Sequence, residues 1–534
     1  MATNSTYAID FGTSNTAIAR WNVATQQAEI VKLPRLSQQM ANLPPLIPSL
    51  LYVEDASQEK VVTGQQVRDR GWDLAEDPRF FRSFKRGIGT AIQGFLPELD
   101  GKTLSFERVG EWYLRELIAK VQADHNEKID SLILTVPVDS FESYRNWLTG
   151  VCQSLDIEQV RIIDEPTSAA LGYAAGDREL LLVVDFGGGT LDLSLVKLPA
   201  QTQNTQGFIL KWGQKILGES TTQKPTNARV LAKAGQNLGG SDIDNWLVDY
   251  FAMQQGLPKS SLTTRLAERL KIQLSSSTEA TEVYFNDETL ETYELSLTRD
   301  ELETILQQQQ FFARLDDLMT RVLQQARRNG VEAEDLDAVL LVGGTAQIPA
   351  VQTWVKQYFP ESKIKSDRPL EAIVTGALQL TQGIEVQDFL YHNYAIRYWN
   401  RSTNSHGWHP IIKTGQPYPM KQPVELFLGA SVPDQPSIEL IIGELAESNV
   451  KTEVYFDGDR LITKTVGTEN TTVQPLNDRD GARTIARLNP LGNPGSDRLK
   501  LSFNVDRQRY LRLTIEDLLT QSILLDDSIV VRLK

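Results

Sequence analysis

The stretch Leu181-Leu182-Val183-Val184-Asp185-Phe186-Gly187-Gly188-Gly189-Thr190-Leu191-Asp192-Leu193-Ser194-Leu195-Val196-Lys197-Leu198 decides how the rest of the chain is read. An apolar run of buried-strand character stops at Asp185, passes three glycines and a threonine, and resumes as an alternating strand. The pattern predicts a hairpin with a tip suited to an anion. Glycines let a ligand come close to the backbone N–H groups, so several donors can converge on phosphate oxygens. Asp185 adds a carboxylate for a metal shell, and Thr190 a hydroxyl for a phosphate. Taken alone, the tip reads more readily as an ordinary glycine-rich turn. The decision therefore rests on the remainder of the chain.

Tyr7 to Arg20 repeats the pattern: a short apolar strand ends in Asp10, the tip reads Phe11-Gly12-Thr13-Ser14-Asn15, and a second strand follows. Two such elements, each opening a segment of comparable length, predict two similar halves that face one another. Glycine/threonine hairpins closing from opposite sides can hold the phosphates of a nucleotide. Asp10 and Asp185 would then face a divalent cation. Because Mg²⁺ keeps several waters and takes only one or two carboxylates, the pair is expected to act through water.

Between and beyond the two hairpins, several segments place polar residues at the ends of apolar strands. In Phe80 to Gly89, Lys85 and Arg86 sit among aromatics, a pattern that fits a solvated helix face equally well. Ser131 to Val136 is a core strand stopped by Pro137, followed by a predicted helix from Phe141 to Leu155. Val160 to Ala170 gives a strand, the acidic pair Asp164-Glu165 and a proline at a helix start. That places Glu165 at a strand-to-helix corner, where α/β folds put chemistry. Pro199 to Gln236 reads as a surface hairpin or insertion. Gly239 and Gly240 open a helix, and Arg265 to Ser277 is another, with Glu268, Lys271 and Ser275 on one face. Such a face is ordinarily only solvated. A long helix is predicted from a cap-like Thr298 through Gln310 and Leu323. Val339 to Pro349 is a buried strand, the pair Gly343-Gly344 and a helix start, where backbone N–H groups can again meet a ligand.

Bulk properties narrow the function classes. The 534 residues predict three or four domains. A net charge of -15 opposes binding to nucleic acid or to an anionic membrane surface. Cys152 is the single cysteine, so there is neither a disulfide framework nor a cysteine metal site, which suits a reducing cytoplasm. No apolar stretch approaches the roughly 18 residues of a membrane span. The expectation is a cytoplasmic protein.

In order and spacing, these segments resemble the heat shock protein 70 kDa (DnaK-type) chaperone family. The two hairpin tips resemble its two phosphate motifs, Ile163 to Ala170 its connecting motif, and Leu341 to Pro349 its adenosine motif. Phe84 to Gly89, Leu134 to Val138, Leu238 to Asp244 and Leu270 to Thr278 match as well. The Lys85 and Lys271 segments point to the chaperone branch rather than to actins or sugar kinases. The resemblance implies an α/β fold: a two-lobed actin-like ATPase with ribonuclease H-like halves over residues 1–382, a linker at 383–391, and an all-β sandwich-like domain over 392–534. It implies ATP/ADP and Mg²⁺ as cofactors. Gly12, Thr13, Ser14 and Asn15, with Gly187, Gly188, Gly189 and Thr190, would hold the phosphates. Asp10 and Asp185 would orient the metal and the attacking water, Lys85 the γ-phosphoryl group, and Glu165 would stand behind the metal. These four and Thr190 form the implied catalytic set. Gly239, Gly240, Glu268, Lys271, Ser275, Gly343, Gly344, Thr345 and Gln347 would line the adenosine side. Two positions depart from the family pattern: Gln347 stands where an adenine-stacking arginine is usual and Leu370 where an aspartate is usual. A guanidinium packs on a base better than an amide does, by about 0.5–2 kcal/mol, so ATP binding is expected to be weaker than usual for the family.

The C-terminal part alternates apolar and polar residues over Val424–Leu428, Ile438–Ile442, Val450–Phe456, Arg460–Thr465, Leu499–Val505, Tyr510–Ile515 and Ser528–Leu533. Glu385 to Tyr391 resembles the family's apolar linker, and is also compatible with a strand start. His406 and His409 flank Trp408 in a predicted loop with no cysteine or carboxylate nearby, which does not favour a metal site. The chain given ends at Lys534, so the resemblance implies a variant without the family's helical lid. The functional expectation is an ATP-dependent chaperone that binds unfolded or extended polypeptide, with a J-domain co-chaperone and a nucleotide-exchange factor as partners. An actin-like scaffolding ATPase and a small-molecule kinase of the same fold remain alternatives.

Overall fold

Two strands with an aspartate as their next-to-last residue, Thr6–Phe11 and Leu180–Phe186, organise two similar halves of the chain. The computed structural model describes residues 5–38, 43–74, 77–89, 97–137, 144, 147–148, 150–152, 154–155, 157, 159–173, 180–198, 227–286, 289–379, 385–386, 390, 393–400, 405–413, 416, 418–420, 422–446, 451–457, 460–466, 472–478, 484–506 and 508–533. The chain divides into one unit of Met1–Val386 with Thr452–Thr465 and a second of Gln387–Lys451 with Val466–Lys534.

In the first unit, Thr6–Phe11 pairs in parallel with Ser131–Val136, which pairs in parallel with Gln159–Asp164. On its other side it pairs antiparallel with Asn15–Asn22, which continues to Gln27–Ile30. The second half repeats this order. Leu180–Phe186 pairs in parallel with Ala338–Val342, itself parallel to Ile364–Lys365, and antiparallel with Leu191–Lys197, which leads to Asn227–Gln236. The duplicated sheets are the α/β, actin-like architecture that the two hairpins predicted. Their central strands are apolar on both faces because helices cover both sides.

A helix follows the outer parallel strand in each half: Glu165–Tyr173 in the first, Ala372–Ala377 in the second. The two helices touch backbone to backbone. Ser168 Oγ donates to the Ile373 carbonyl at 2.7 Å. A Cβ added at Gly376 would lie 1.8 Å from the Ser168 carbonyl oxygen, so only glycine permits this crossing. The small side chains of Ala169, Ala170, Ala372 and Ala377 are fully buried around it.

Four expectations are corrected. The long helix capped by Thr298 is two helices, Arg299–Gln308 and Phe311–Arg328. The cap stands, with the Thr298 side chain accepting from the Glu301 N–H. After Leu302, Ile305 and Leu306 the buried stripe resumes at Phe311, one residue later than a continuous helix allows. The chain breaks at Gln310, with φ 55°, to keep both stripes inward. His406, Trp408 and His409 lie on the strand Ser405–Ile412, not in a loop. Its own burial does not alternate, with His406 and His409 exposed and Ile411 and Ile412 buried, and the Trp399 and His406 rings meet across its pairing with Asn393–Asn400 at 5.0 Å. Ile438–Ile442 is not one strand: Gln435–Leu440 pairs with Thr484–Gly492, while Ile442–Ala446 pairs with Asn393–Asn400. The final strand begins earlier than predicted, at Ser522.

The second unit is all β. One sheet runs Ser405–Ile412, Asn393–Asn400, Ile442–Ala446 and Thr472–Pro475; another runs Val424–Leu428, Leu499–Val505, Tyr510–Asp517 and Ser522–Arg532. Leu390, within the predicted linker, is buried in this unit's core with Tyr394, Phe503 and Leu513. Glu385–Val386 instead extends the first unit's sheet beside Asn227–Ala228. Residues 387–389, residues 141–143, 145, 146, 149 and 153 of the predicted Phe141–Leu155 helix, and residues 199–226 of the predicted insertion lie outside the described residues.

Candidate functional site

A cavity of about 830 Å³ lies between the halves of the first unit. That volume is within the usual range for small-molecule and cofactor sites. Its wall includes Asp10, Gly12, Thr13, Ser14, Asn15, Lys85, Glu165, Asp185, Gly187, Gly188, Gly189 and Thr190. Gly240, Glu268, Lys271, Ser275, Gly343, Gly344, Thr345, Gln347 and Leu370 line it too. Of the residues singled out from the sequence, Gly239 is not on this wall. A Cβ there would lie 2.4 Å from the backbone of Gly188 and Gly189, so Gly239 serves the close seating of a helix start against the hairpin tip.

The two tips interlock. A Cβ on Gly188 would come within 2.0 Å of Ser14 Oγ, and one on Gly189 within 2.5 Å of Thr13 Oγ1. The Gly187 tip is braced from three sides. Gly240 N donates to the Gly187 carbonyl at 3.1 Å, Ser241 N to the Gly188 carbonyl at 2.8 Å, and Thr345 Oγ1 to the Gly187 carbonyl at 2.8 Å. Ser49 Oγ donates to the Gly12 carbonyl at 2.7 Å on the opposite tip. With these carbonyls engaged, the glycine-rich tips are fixed in shape before any ligand arrives.

Behind the tips lies a cluster of buried charges. Lys85 Nζ donates to Glu165 Oε1 at 2.8 Å, with both side chains about nine-tenths buried. Thr135 Oγ1 donates to Asp10 Oδ1 at 2.7 Å. Burial, then repulsion from Glu165, pushes the Asp10 carboxyl up to about 6, while Lys85 and Thr135 oppose the shift. Asp185 is raised well above the usual carboxylate range by burial and by Glu165, Asp192 and Asp10. Burial pulls the Lys85 ammonium down, but Glu165, Asp10 and Asp185 outweigh it and hold it above its ordinary value. Three carboxylates around one ammonium leave excess negative charge in a poorly solvated place. Such an all-oxygen donor set fits a hard divalent cation.

At the other end of the cavity, Lys271 Nζ is tied to Asp244 Oδ1 at 2.6 Å and to the Gly240 carbonyl at 2.9 Å. Glu268 pairs with Arg68 at 3.1 Å. Gly343, at φ 86°, donates its N–H to the Pro369 carbonyl at 2.7 Å and brings the chain beside Leu370. Gln347 and Leu370, the two departures from the family pattern, both line the cavity.

Sequence reading passed over two residues of the charge cluster. Asp192 is the direct cross-strand neighbour of Asp185, and its buried carboxylate raises that of Asp185. The signal for it was an aspartate set inside the alternating leucines 191, 193 and 195. Thr135 was a polar residue in a fully buried strand, and only the parallel pairing of that strand with Thr6–Phe11 brings it to Asp10.

Comparison with known proteins agrees with this geometry. A family model described as Hsp70 protein matches residues 93–204 and 227–392, together more than half of the chain. The chain is similar to "Chaperone protein DnaK" of Deinococcus proteolyticus, with 30% identity over 331 residues, covering 58% of this chain and 47% of the relative. It is similar to "Chaperone protein dnaK1" of Synechocystis sp., with 29% identity over 312 residues, covering 54% of this chain and 41% of that one. The chain thus spans about half the length of the curated relatives it matches. The duplicated sheets, the paired glycine tips and the matched residues agree that this chain belongs to the Hsp70 family.

Proposed function

We propose that the first unit binds Mg²⁺-ATP and hydrolyses it to ADP and phosphate, and that the nucleotide controls how the β unit holds unfolded or extended polypeptide. The observation that carries this reading is the charge cluster of Lys85, Glu165, Asp10 and Asp185 on one cavity wall beside two interlocked glycine tips. The tip N–H groups and the Thr13 and Thr190 hydroxyls bind the phosphate chain. Lys85 neutralises charge developing on the γ-phosphoryl oxygens. Asp10, held by Thr135, and Asp185 orient the attacking water, and Glu165 fixes the ammonium. Asp10 and Asp185 would hold magnesium through water, and the ion would supply charge neutralisation for the phosphates. Phosphoryl transfer is mainly positioning and electrostatic stabilisation, so a preformed cluster of this kind suffices without a covalent intermediate.

Gln347 and Leu370 on the base side support ATP affinity below that usual for the family. Closure of the halves around the phosphates, pivoting at the Gly172–Gly376 helix crossing, is the motion that hydrolysis would release. On this reading residues 1–382 are the ATPase and 392–534 the polypeptide-binding part. A J-domain co-chaperone and a nucleotide-exchange factor are its partners, and the cytoplasm its location. The test is phosphate release by wild type and Lys85→Ala, with and without an unfolded peptide. Release that depends on Lys85 and responds to peptide supports the proposal. A wild-type rate indifferent to peptide removes the chaperone half and leaves an ATPase.

A further inference from the structure

The Lys85 ammonium is held from two sides by different chemistry. Toward the cavity its partner is the Glu165 carboxylate at 2.8 Å. The other side is aromatic: the ring centroid of Tyr144 lies 5.5 Å from Nζ and that of Phe11 lies 5.8 Å away. At these distances a ring face attracts a cation, more strongly where water is excluded. The rings are locked in turn. Trp147 meets Tyr144 edge to face at 5.0 Å, and Tyr113 stacks on Phe11 at 5.4 Å.

Tyr144 is 1% exposed, and its phenol oxygen has no hydrogen-bond partner. A buried hydroxyl left unpaired is destabilising, a penalty that phenylalanine would avoid in the same space. Burial, and then the negative charge of Glu165 and Asp10, hold the Tyr144 phenol well above its ordinary value, so the hydroxyl keeps its proton and can act as a donor. Glu165 itself is 6% exposed and accepts a charge-assisted bond from Lys85. An ammonium drawn onto a phosphate cannot keep that bond at full strength, and a buried carboxylate that loses its donor is costly.

We propose that Tyr144 is a positioning residue of the nucleotide site: its ring, with that of Phe11, steadies the Lys85 ammonium, and its hydroxyl replaces Lys85 as donor to Glu165 when Lys85 turns to the γ-phosphate. The inference rests on the ATP-hydrolysis reading above. It accounts for a tyrosine, rather than a phenylalanine, at a buried position whose hydroxyl is unpartnered before nucleotide arrives.

The test uses the full chain as wild type, Tyr144→Phe and Tyr144→Leu. Three quantities are read: Mg²⁺-ATP affinity by titration, single-turnover phosphate release, and the rate at which acetic anhydride labels Lys85 in the nucleotide-free protein, followed by mass spectrometry. Tyr144→Phe keeps the ring, so affinity and labelling stay within about twofold of wild type. Phosphate release slows about tenfold, the worth of one hydrogen bond to a charged group. Tyr144→Leu removes the ring, and Lys85 labels about fivefold faster or more while Lys271, in the other half, labels at its wild-type rate. Wild-type release rates in Tyr144→Phe overturn the donor exchange, and unchanged Lys85 labelling in Tyr144→Leu overturns the aromatic hold. Wild type that binds Mg²⁺-ATP but releases no phosphate overturns the hydrolysis reading and the donor exchange with it. The labelling comparison still decides the aromatic hold in that case.

Discussion

Lys85 and Glu165 are 80 residues apart in sequence and form a 2.8 Å ion pair at the back of the cavity. The lysine comes from the short turn Phe84–Gly87, and the glutamate from the first residue of the helix Glu165–Tyr173. Replacing Lys85 by alanine would remove the cation proposed to meet the transferring phosphoryl group and would leave Glu165 buried without this donor. Phosphate release is expected to fall by about 10²–10³, on the scale of losing one preorganised electrostatic contact. A single-turnover assay checks it, and nucleotide affinity should change much less.

The Asp10 carboxyl, pushed up to about 6 by burial and Glu165, gives the nucleotide-free protein a pH signature. Between the ordinary carboxylate range and about 6, the folded state binds a proton that the unfolded state does not. This contribution to stability is therefore full at low pH and is lost as pH rises through the folded value. At neutral pH, Asp10→Asn is expected to stabilise the empty protein by about 1–3 kcal/mol and to abolish Mg²⁺-dependent phosphate release. Thermal unfolding as a function of pH checks the first effect, since the variant should lose part of the wild-type slope between pH 4 and 6. Protonation of Asp10 should also weaken Mg²⁺ binding by wild type as pH falls below about 6, which calorimetric titration would detect.

Gly376→Ala places a methyl group 1.8 Å from the Ser168 carbonyl oxygen, where neither backbone can give way without separating the two helices. The expected cost is about 2–4 kcal/mol, the scale of a severe overpacking. Denaturant titration checks this. The same substitution at Gly256, around which no atom lies within 4 Å, pays only for its positive φ of 71° and should be milder.

In the β unit, Arg498 grips Asp517 with two hydrogen bonds of 2.8 Å, the side chains 8% and 1% exposed. Arg498→Met strands a buried carboxylate and should cost about 3–5 kcal/mol, whereas Arg498→Met with Asp517→Leu should recover much of the loss. Thermal unfolding of the two variants decides between them. ATP affinity should stay at the wild-type value in both.

Gln347→Arg places a guanidinium on the wall of the cavity that Leu370 also lines, on the side proposed to take the base. ATP should bind more tightly by about 0.5–2 kcal/mol. Unchanged affinity in calorimetry would show that the arginine-for-glutamine exchange does not set nucleotide affinity here.

What was legible from the sequence was local. Asp10 and Asp185 at strand ends, the glycines after them and Glu165 at its helix corner follow from patterns a few residues long. The duplication of that pattern was enough to predict two facing halves. Thr298 capping its helix was legible for the same reason: the cap and its Glu301 partner are three residues apart. The break at Gln310 was not, because it depends on which faces of two successive helices meet the core.

Contacts between distant segments belong to the tertiary structure alone. Strand pairing brings Thr135 to Asp10 and sets Asp192 across from Asp185, and helix packing places Gly376 on Ser168. It also turned Gly239 from an expected ligand contact into a packing contact against Gly188. The sequence by itself determined which groups could do chemistry on a phosphate, since those groups must sit where apolar strands end. The tertiary structure decided which of them share a low-dielectric wall, and proximity there sets the charge of each one.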